Sequence, residues 1–463
     1  MENVFQKVVS LAKRRGFAYP SSEIYGGMAN TWDFGPLGTQ LKNNIRDSWW
    51  KTFVLDRDDM VGIDASIFLN PSVWEASGHV AGFTDALIDC RRCNYRTRAD
   101  HLIEGAIPDK KVEGLSVEEL SKIVTENSLI CPKCAESNWT EVRKFNLLFE
   151  TSIGIIEGEK SKAYLRGEIA QGIFLNFKNV LDTTRVRVPF GIAQQGKAFR
   201  NEITMGQFVH RTLEFDLMEL EYFVHPSEWE KTYHYWKDEM WKWALSLGVR
   251  QENLRWREHE EFERSHYSKM TMDIEYQYSF GWKEMAGLAY RTDFDLANHM
   301  KHSGRDLSYL DPKTNEKYVP HVIEPTFGLS RLVGIILMDA YREDTSKEEA
   351  RVYLDLAPRI APYTVAVFPL LANKEDLVSK AREVYKSLRS DFRVAWDDRG
   401  NIGKRYLSQD EAGTPFCVTV DFDTLQDDAV TVRDRNTTKQ ERIKIESLKE
   451  YISGKIQLGK GSL

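Results

Sequence analysis

Two periods of hydrophobic positions alternate along this chain, and the switches between them mark its elements. Near the start, Val4, Phe5, Val8, Val9 and Leu11 recur at helical spacing among interleaved Glu, Lys and Arg. This predicts an amphipathic helix and lacks the order of a secretory signal. After the Gly35-Pro36 turn, Leu37, Leu41, Ile45, Trp49 and Phe53 predict a long helix, and the strand-like MVGIDASIFLN follows it and stops at Pro71. LSVEELSKIV, from Leu115, predicts a further helix. From Ala198 to Val224 the period drops to two, which predicts two strands joined by a polar loop. Arg200 and Glu202 then share a face of the first strand. Phe215, Glu219 and Glu221 share a face of the second, opposite Met218, Leu220, Tyr222 and Val224. In HVIEPTFGLSRLVGIIL, from His321 to Leu337, a strand ends at Pro325, Gly328 turns the chain and an apolar helix begins. Beyond the two prolines of LAPRIAPYTVAVFPL the pattern alternates: strand, helix from Lys374 to Leu388, strand FRVAW, helix around Gly403 to Ala412, strand TPFCVTVDF. That alternation predicts a small α/β domain with a mostly parallel sheet.

The 463 residues exceed one compact core and suggest two or three domains. The expected division is a body in two parts, 1–89 and 162–355, an inserted module at 90–161 and a tail domain at 356–463. The longest apolar run, near Leu332 to Leu337, is far too short to span a bilayer. With 42% apolar residues, a cytoplasmic protein with no membrane partner is the expectation. The net charge of −7 argues against a general basic coat for nucleic acid. From Arg359 onward the balance is +2, leaving −9 on the rest, so a polyanion is permitted near the tail.

Four of five cysteines fall as CRRC (Cys90, Cys93) and CPKC (Cys131, Cys134). Two such turns brought together offer four thiolates in the tetrahedral array that structural zinc requires. Reduced thiols without metal and disulfides are the competing readings, and a cytosolic setting favours metal. Cys417 reads as a small buried residue. On the hairpin, an arginine, carboxylates and an aromatic ring on one face suit an anionic, planar, amine-bearing ligand. A solvated sheet face is the plainer reading of the same pattern.

FRNE, a loop, then EF and MELE together resemble the second signature motif of the class II aminoacyl-tRNA synthetases, in the wording of the glycyl-tRNA synthetases. The helix after Gly35-Pro36 with its following strand resembles the first motif, which forms the dimer interface in that family. EPTFGLSR resembles the third. The resemblance covers nearly the whole chain. It implies an α/β fold class, with an α+β catalytic body built on the class II antiparallel sheet, a zinc-ribbon-like insertion and an α/β anticodon-binding tail.

For activity, the resemblance implies a homodimeric glycine–tRNA ligase that uses ATP with Mg²⁺, glycine and tRNA(Gly). Arg200 would hold the α-phosphate and the attacking carboxylate, its planar fork suiting bidentate contact. Glu202 would accept from the adenine amino group, and Phe215 would stack on the ring. Asn201, His210, Arg211, Thr212, Leu213 and Glu214 would complete the nucleotide loop. Leu213 stands where a charged residue is expected. Glu284 would coordinate Mg²⁺, with Met285 beside it. Gly328, Leu329, Ser330 and Arg331 would meet the phosphates at the start of the last helix, with Arg331 against adenine and the γ-phosphate. Arg200, Glu202 and Arg331 form the catalytic set.

Glu168, Glu219 and Glu324 match three acidic positions that surround the substrate ammonium, and Arg98 and Arg291 match arginines of the same pocket. Phe215, Asp216, Leu217, Met218, Pro325, Thr326, Phe327 and Gly328 complete the implied glycine site. Thr326 replaces the family's usual serine. Gly167 replaces a usual proline, which should loosen the backbone before Glu168. Three carboxylates in a small space favour a compact cation and leave no room for a Cβ, so no editing domain is needed. Three rivals stand beside this reading: a sister class IIa synthetase, a non-catalytic relative such as the accessory subunit of mitochondrial DNA polymerase, and a zinc-based nucleic-acid binder.

Overall fold

The amino-terminal segment forms helix α1 (Val4–Arg15) in the computed structural model, which describes residues 4–107, 110, 112, 114–154, 161–203, 208–265, 267–345 and 350–458. It buries the Val8, Leu11 and Ala12 stripe that its periodicity marks. Helix α2 (Pro36–Trp50) starts on proline, whose missing N–H costs nothing in the first turn. It continues as a wider π turn, Lys51–Leu55, that carries Phe53 into the core. Of the strand-like run after it, only Met60–Gly62 is a strand, β1. Its ladder ends after Ile63, whose N–H reaches Ala193 O.

The sheet of the inserted module starts ahead of the expected boundary at residue 90, with β2 (Thr84–Asp89), and goes on with β3 (Arg96–Arg98), helix α3 (Val117–Glu126) and β4 (Arg143–Asn146). The strands form an antiparallel sheet in the order β3-β2-β4. Helix α3 is the one the LSVEELSKIV pattern predicts, and a reciprocal cap between Ser116 and Glu119 fixes its start. Its Leu120 and Val124 join Ile88, Leu102, Ile103 and Val142 in a small core of their own.

The body resumes with α4 (Ala170–Thr183), β5 (Phe190–Phe199), β6 (Glu214–Val224), α5 (Trp229–Ser246), β7 (Leu254–Glu258), β8 (Met270–Tyr278), β9 (Gly281–Thr292), α6 (Phe294–Ser303), β10 (His321–Gly328) and α7 (Leu329–Ala340). Seven strands form one sheet in the order β7-β8-β9-β10-β6-β5-β1, antiparallel except for the β5–β1 pair. Even-numbered residues of β6 (Met218, Leu220, Tyr222, Val224) enter a large core with Trp49, Phe53, Trp236 and the apolar face of α7. The odd-numbered face leads from Phe215 through Glu219 and Glu221 to Phe223, which packs with Phe174, Phe177 and Phe190.

One expectation fails here. Arg200 and Glu202 do not lie on a strand, because β5 ends at Phe199. Arg200 N still bonds Leu213 O, but Asn201 N turns away to Leu147 O and Glu202 N closes onto Arg200 O. Residues 204–207 of the predicted loop lie outside the described residues.

The tail holds β11 (Val365–Pro369), α8 (Glu375–Leu388), β12 (Val394–Trp396), α9 (Ile402–Ala412), β13 (Phe416–Val420), β14 (Ala429–Asp434), β15 (Gln440–Lys444) and α10 (Leu448–Leu458). Its sheet order is β12-β11-β13-β14-β15. The expectation of a mostly parallel sheet is corrected: two pairs are parallel and two antiparallel. The Arg433–Lys439 region forms a hairpin turn where a helical crossover would have been needed to keep the strands parallel. Cys417 is buried in β13, and burial pushes its thiol up.

Body and tail meet through charge. Asp410, fully buried on α9, accepts from Arg433 Nη1 and Nη2 at 2.8 and 3.0 Å and from Arg351 Nε at 2.7 Å. Arg435 Nη2 donates to Asp355 and Leu356 O. Asp410→Ala strands two guanidinium groups without their carboxylate. It is expected to cost about 3–5 kcal/mol, read as a lower urea midpoint for tail unfolding.

Candidate active site

Where β6, β10 and the start of α7 meet the insertion, a cleft of about 270 Å³ opens, lined by Arg200, Glu202, Phe215, Glu219, Glu284, Thr326 and Arg331 among others. Arg200 lies between two rings, its guanidinium 5.1 Å from Phe83 and 5.3 Å from Phe215. Its Nε donates to Gly167 O at 3.0 Å. Gly167 is therefore not a loose point. A Cβ there would lie 3.1 Å from both Phe83 and Leu148, so packing fills the place of the family's proline.

Behind the inner end of the cleft, where Glu219 lines the wall, Glu168 and Glu324 assemble around Arg291, which is fully buried. Arg291 Nε and Nη2 donate to Asp295 at 2.8 and 2.9 Å, and Nη1 donates to both oxygens of Glu324 at 3.1 and 3.0 Å. Nη2 lies 3.8 Å from Glu168 Oε1. The guanidinium is stacked 3.7 Å from the Tyr267 ring, with Phe174 at 5.2 Å. Gln171 Nε2 bridges Glu168 Oε1 and Asp295 Oδ1, each at 2.8 Å, and His79 Nε2 faces Glu168 Oε2 at 3.2 Å. Glu219 Oε2 accepts from Ile169 N at 3.1 Å.

These carboxyls do not titrate alike. Burial opposes the charge of Glu168, but His79 and Arg291 outweigh it and hold that carboxyl far below its usual range. Burial, followed by repulsion from Glu324 and Glu168, pushes Glu219 up to about 8. Burial raises Glu324 to about 7 against the pull of Arg291. Glu221 is the extreme case: wholly buried, with neither oxygen hydrogen-bonded among the described residues, it is raised well above the carboxylate range by burial and by Glu324. An unpaired charge there is prohibitively costly, so Glu221 is a neutral acid beneath the pocket. It shares the face of Glu219, as its position predicts, yet it does not reach the cleft.

At the outer end, Glu202 lies 3.6 Å from Arg211. Arg98 stands at this end too, 3.0 Å from Asp85 and 3.0 Å from Asp100 by its Nε. The arginine that grips Glu324 and faces Glu168 is Arg291, whereas Arg98 neighbours Glu202. His210 Nδ1 is 3.2 Å from Tyr278 Oη, and burial with Arg331 and Arg211 nearby pushes it down to about 2, so it is neutral. Arg331 Nη1 meets Glu284 Oε1 at 2.7 Å. Burial would raise the Glu284 carboxyl, and Arg331 more than offsets it. Gly328 has an extended backbone with φ −78°, so it serves through its missing Cβ, 3.4 Å from Arg331 Cβ.

Several residues expected at the site turn their side chains elsewhere. Met218, Met285, Phe327 and Leu329 lie in the large core, and Pro325 shares their face of β10. These five have only backbone to offer a ligand. Asp216 is occupied by Lys42 at 2.5 Å and Arg46 at 3.1 Å, both on α2. Glu214 pairs with Lys197 at 2.8 Å. Thr212 Oγ1 donates to Glu214 O, and Ser330 Oγ accepts from Asp216 N, so both brace backbone. Leu213 is bound by backbone alone, to Asn30 and Arg200, and Leu217 packs with Ile169, Ala198 and Phe215 at the cleft wall.

Sequence reading missed Phe83, Asp85 and Leu147, which lie on or beside β2 and β4, and Gln171, Tyr267 and Asp295 around Arg291. Only Asp295 carried a signal: it follows Arg291 at the four-residue spacing of an ion pair.

Comparison with known proteins follows this geometry. The anticodon binding domain family matches residues 364–455, and the glycyl-tRNA synthetase insertion domain 1 family matches residues 109–147. The glycine–tRNA ligase of Clostridium kluyveri is 51% identical over 462 residues, covering 98% of this chain and 99% of that protein. Those of Acetivibrio thermocellus (52% over 460 residues, 98% and 99% covered) and Caldanaerobacter subterraneus (51% over 455 residues, 97% and 98%) are similar. With half its residues shared across nearly its whole length, the chain belongs to the glycine–tRNA ligase family.

Proposed function

We propose that this chain activates glycine with ATP, forming glycyl-adenylate and pyrophosphate, and then transfers glycine to the 3′ end of tRNA(Gly). The observation that carries this reading is an acidic pocket, with Glu219 on the cleft wall and the buried Glu168 and Glu324 behind it, beside a ring-stacked arginine. The pocket suits an ammonium group. Arg200 suits the carboxylate and phosphate oxygens, since its terminal nitrogens have no hydrogen-bond partner among the described residues. Glu168, Glu219, Arg291, Glu324 and Thr326 would form the glycine end, while Arg98, implied for it by resemblance, stands at the other end beside Glu202. Glu202 and Phe215 would receive adenine, and His210, Arg211 and Arg331 would surround the phosphates.

In the first step a glycine carboxylate oxygen attacks the α-phosphorus and the bond to pyrophosphate breaks. In the second, a tRNA ribose hydroxyl attacks the carbonyl carbon and AMP leaves. Both steps require alignment and cations placed where negative charge builds up, which Arg200 and Arg331 provide. Glu284 faces the cleft with a hard oxygen donor and would hold Mg²⁺, which offsets phosphate charge when bound. Cys90, Cys93, Cys131 and Cys134, whose sulfurs all lie within 4.8 Å, fit structural zinc; a closed four-sulfur shell leaves no position for chemistry.

A homodimer built on α2 and edge strand β1 belongs to the same proposal. It is supported by an open hollow there lined by Trp50, Leu55 and Ile63, with Leu55 69% exposed. The tail, with its anticodon-binding match, would read the tRNA. Cytoplasmic location is likewise proposed; among the described residues no helix is long and apolar enough to cross a membrane.

Arg200→Ala is expected to lower ATP–pyrophosphate exchange by at least about 10²–10³-fold with an unchanged urea midpoint; near-normal exchange would refute its phosphate role. Glu219→Gln should raise the glycine KM by about 10- to 100-fold, the worth of a charged hydrogen bond, and leave the ATP KM within about twofold. The ammonium favours ionised Glu219 and Glu324. Glycine binding therefore releases protons, and the glycine KM should fall as pH rises through about 7 and 8. A flat profile from pH 6 to 8.5 would contradict this. Exchange tested with all twenty amino acids is the overall check: alanine or serine activated as well as glycine would sink the proposal.

A further inference from the structure

The insertion sheet β3-β2-β4 has two ends that do different things. At the far end the cysteines meet. Cys90 follows β2 directly, Cys93 precedes β3, and Cys131 and Cys134 precede β4. Cys90 and Cys134 Sγ are 3.6 Å apart, as are Cys93 and Cys131 at 3.7 Å. Sulfurs held about 2.3 Å from a tetrahedral ion lie about 3.8 Å from one another, so this cluster already has the size of a metal shell. Arg91 N donates to Asn138 O and Cys90 pairs with Trp139, which ties the two knuckles together.

The near end reaches the catalytic arginine and glutamate. Phe83, one residue before β2, stacks on Arg200. Leu147, one residue after β4, donates its N–H to Phe83 O and accepts from Asn201 N, both at 2.9 Å, so it holds the backbone exactly where the chain passes between Arg200 and Glu202. Asp85 on β2 pairs with Arg98 on β3 across the cleft wall next to Glu202. The second oxygen of Asp85 is buried with no hydrogen-bond partner among the described residues, and Arg98 pairs with the first. From Asp85 to Cys90 is about 17 Å of extended, laddered strand. That is a stiff connection between the thiols and the nucleotide end of the cleft.

We infer that the insertion is a strut through which metal bound by the four thiolates positions Arg200, Asn201 and Glu202, making affinity for ATP depend on metal occupancy, with Asp85 as a positioning residue. The inference rests on the glycine–tRNA ligase reading above. Without metal, four crowded thiols lose the ion that joins them. The sheet then frays from the knuckles, and the ring and backbone contacts at Phe83 and Leu147 loosen with it.

The test uses the full-length protein, its zinc content measured by atomic emission. Calorimetry with β,γ-imido-ATP and Mg²⁺ is run before chelation, after chelation and after zinc is restored, alongside amide exchange. Removal should weaken the analogue at least tenfold and speed exchange at Asn201 but not in residues 364–455, and zinc should restore both. Asp85→Asn, with full zinc content, should weaken the analogue at least threefold. Unchanged affinity and Asn201 exchange after metal removal would overturn the inference. So would simultaneous loss of protection in the tail, which would make the metal a general folding element. Zinc-loaded protein that fails to bind the analogue at all would instead refute the ligase reading.

Discussion

The pocket depends on one cation. Arg291 is buried between the rings of Tyr267 and Phe174, and it draws together three parts of the chain that are remote in sequence: Asp295 on α6, Glu324 on β10 and Glu168 before α4. Without it these carboxylates would face each other in a low-dielectric interior, where like charges at such distances cannot all ionise. With it, Glu168 and Asp295 are fixed and Glu324 is held within reach of the cleft. Breaking such a buried arrangement by deleting one partner is far more damaging than replacing it whole. The same guanidinium thus supports both the fold and the proposed glycine pocket.

Around that centre, charge is sorted along the cleft. Carboxyls dominate the inner end, while at the outer end Arg98, Arg211 and Arg331 each face an acid (Asp85, Glu202 and Glu284), with Arg200 at the junction. Under the proposed function, glycine would enter this arrangement ammonium first, leaving its carboxylate beside Arg200 and facing the region suited to phosphate. Thr326 and Glu219 oppose each other across β10 and β6, so the inner end is bounded by regular, laddered strands. Backbone held this way does not yield readily to an added methyl group, which is what discrimination by exclusion requires.

Much of this was legible in the sequence where period and chemistry coincide. The alternation in Glu214–Val224 correctly separated Phe215, Glu219 and Glu221 from Met218, Leu220 and Tyr222. The paired Cys-x-x-Cys turns gave four sulfurs that do meet. What failed was local geometry set by distant partners. Arg200 and Glu202 leave the strand because Leu147, more than fifty residues earlier, claims the backbone of Asn201. Glu221 looked like Glu219 in sequence, and only its complete burial, with Glu324 nearby, makes it a neutral acid. The tail sheet was misjudged because a hairpin and a crossover differ by a turn that strand periodicity does not record.

The unpaired acid beneath the pocket has a further consequence for the ligand-free molecule. Groups whose folded affinity for protons exceeds the unfolded value stabilise in acid, and that stabilisation fades as pH climbs through the folded value. Glu219, Glu221 and Glu324 all belong to this class. The empty body therefore grows less robust toward alkaline conditions, over the very interval in which its hold on an amine improves. Occupancy reverses the penalty, so substrate acts on this architecture as a protectant whose value increases with alkalinity.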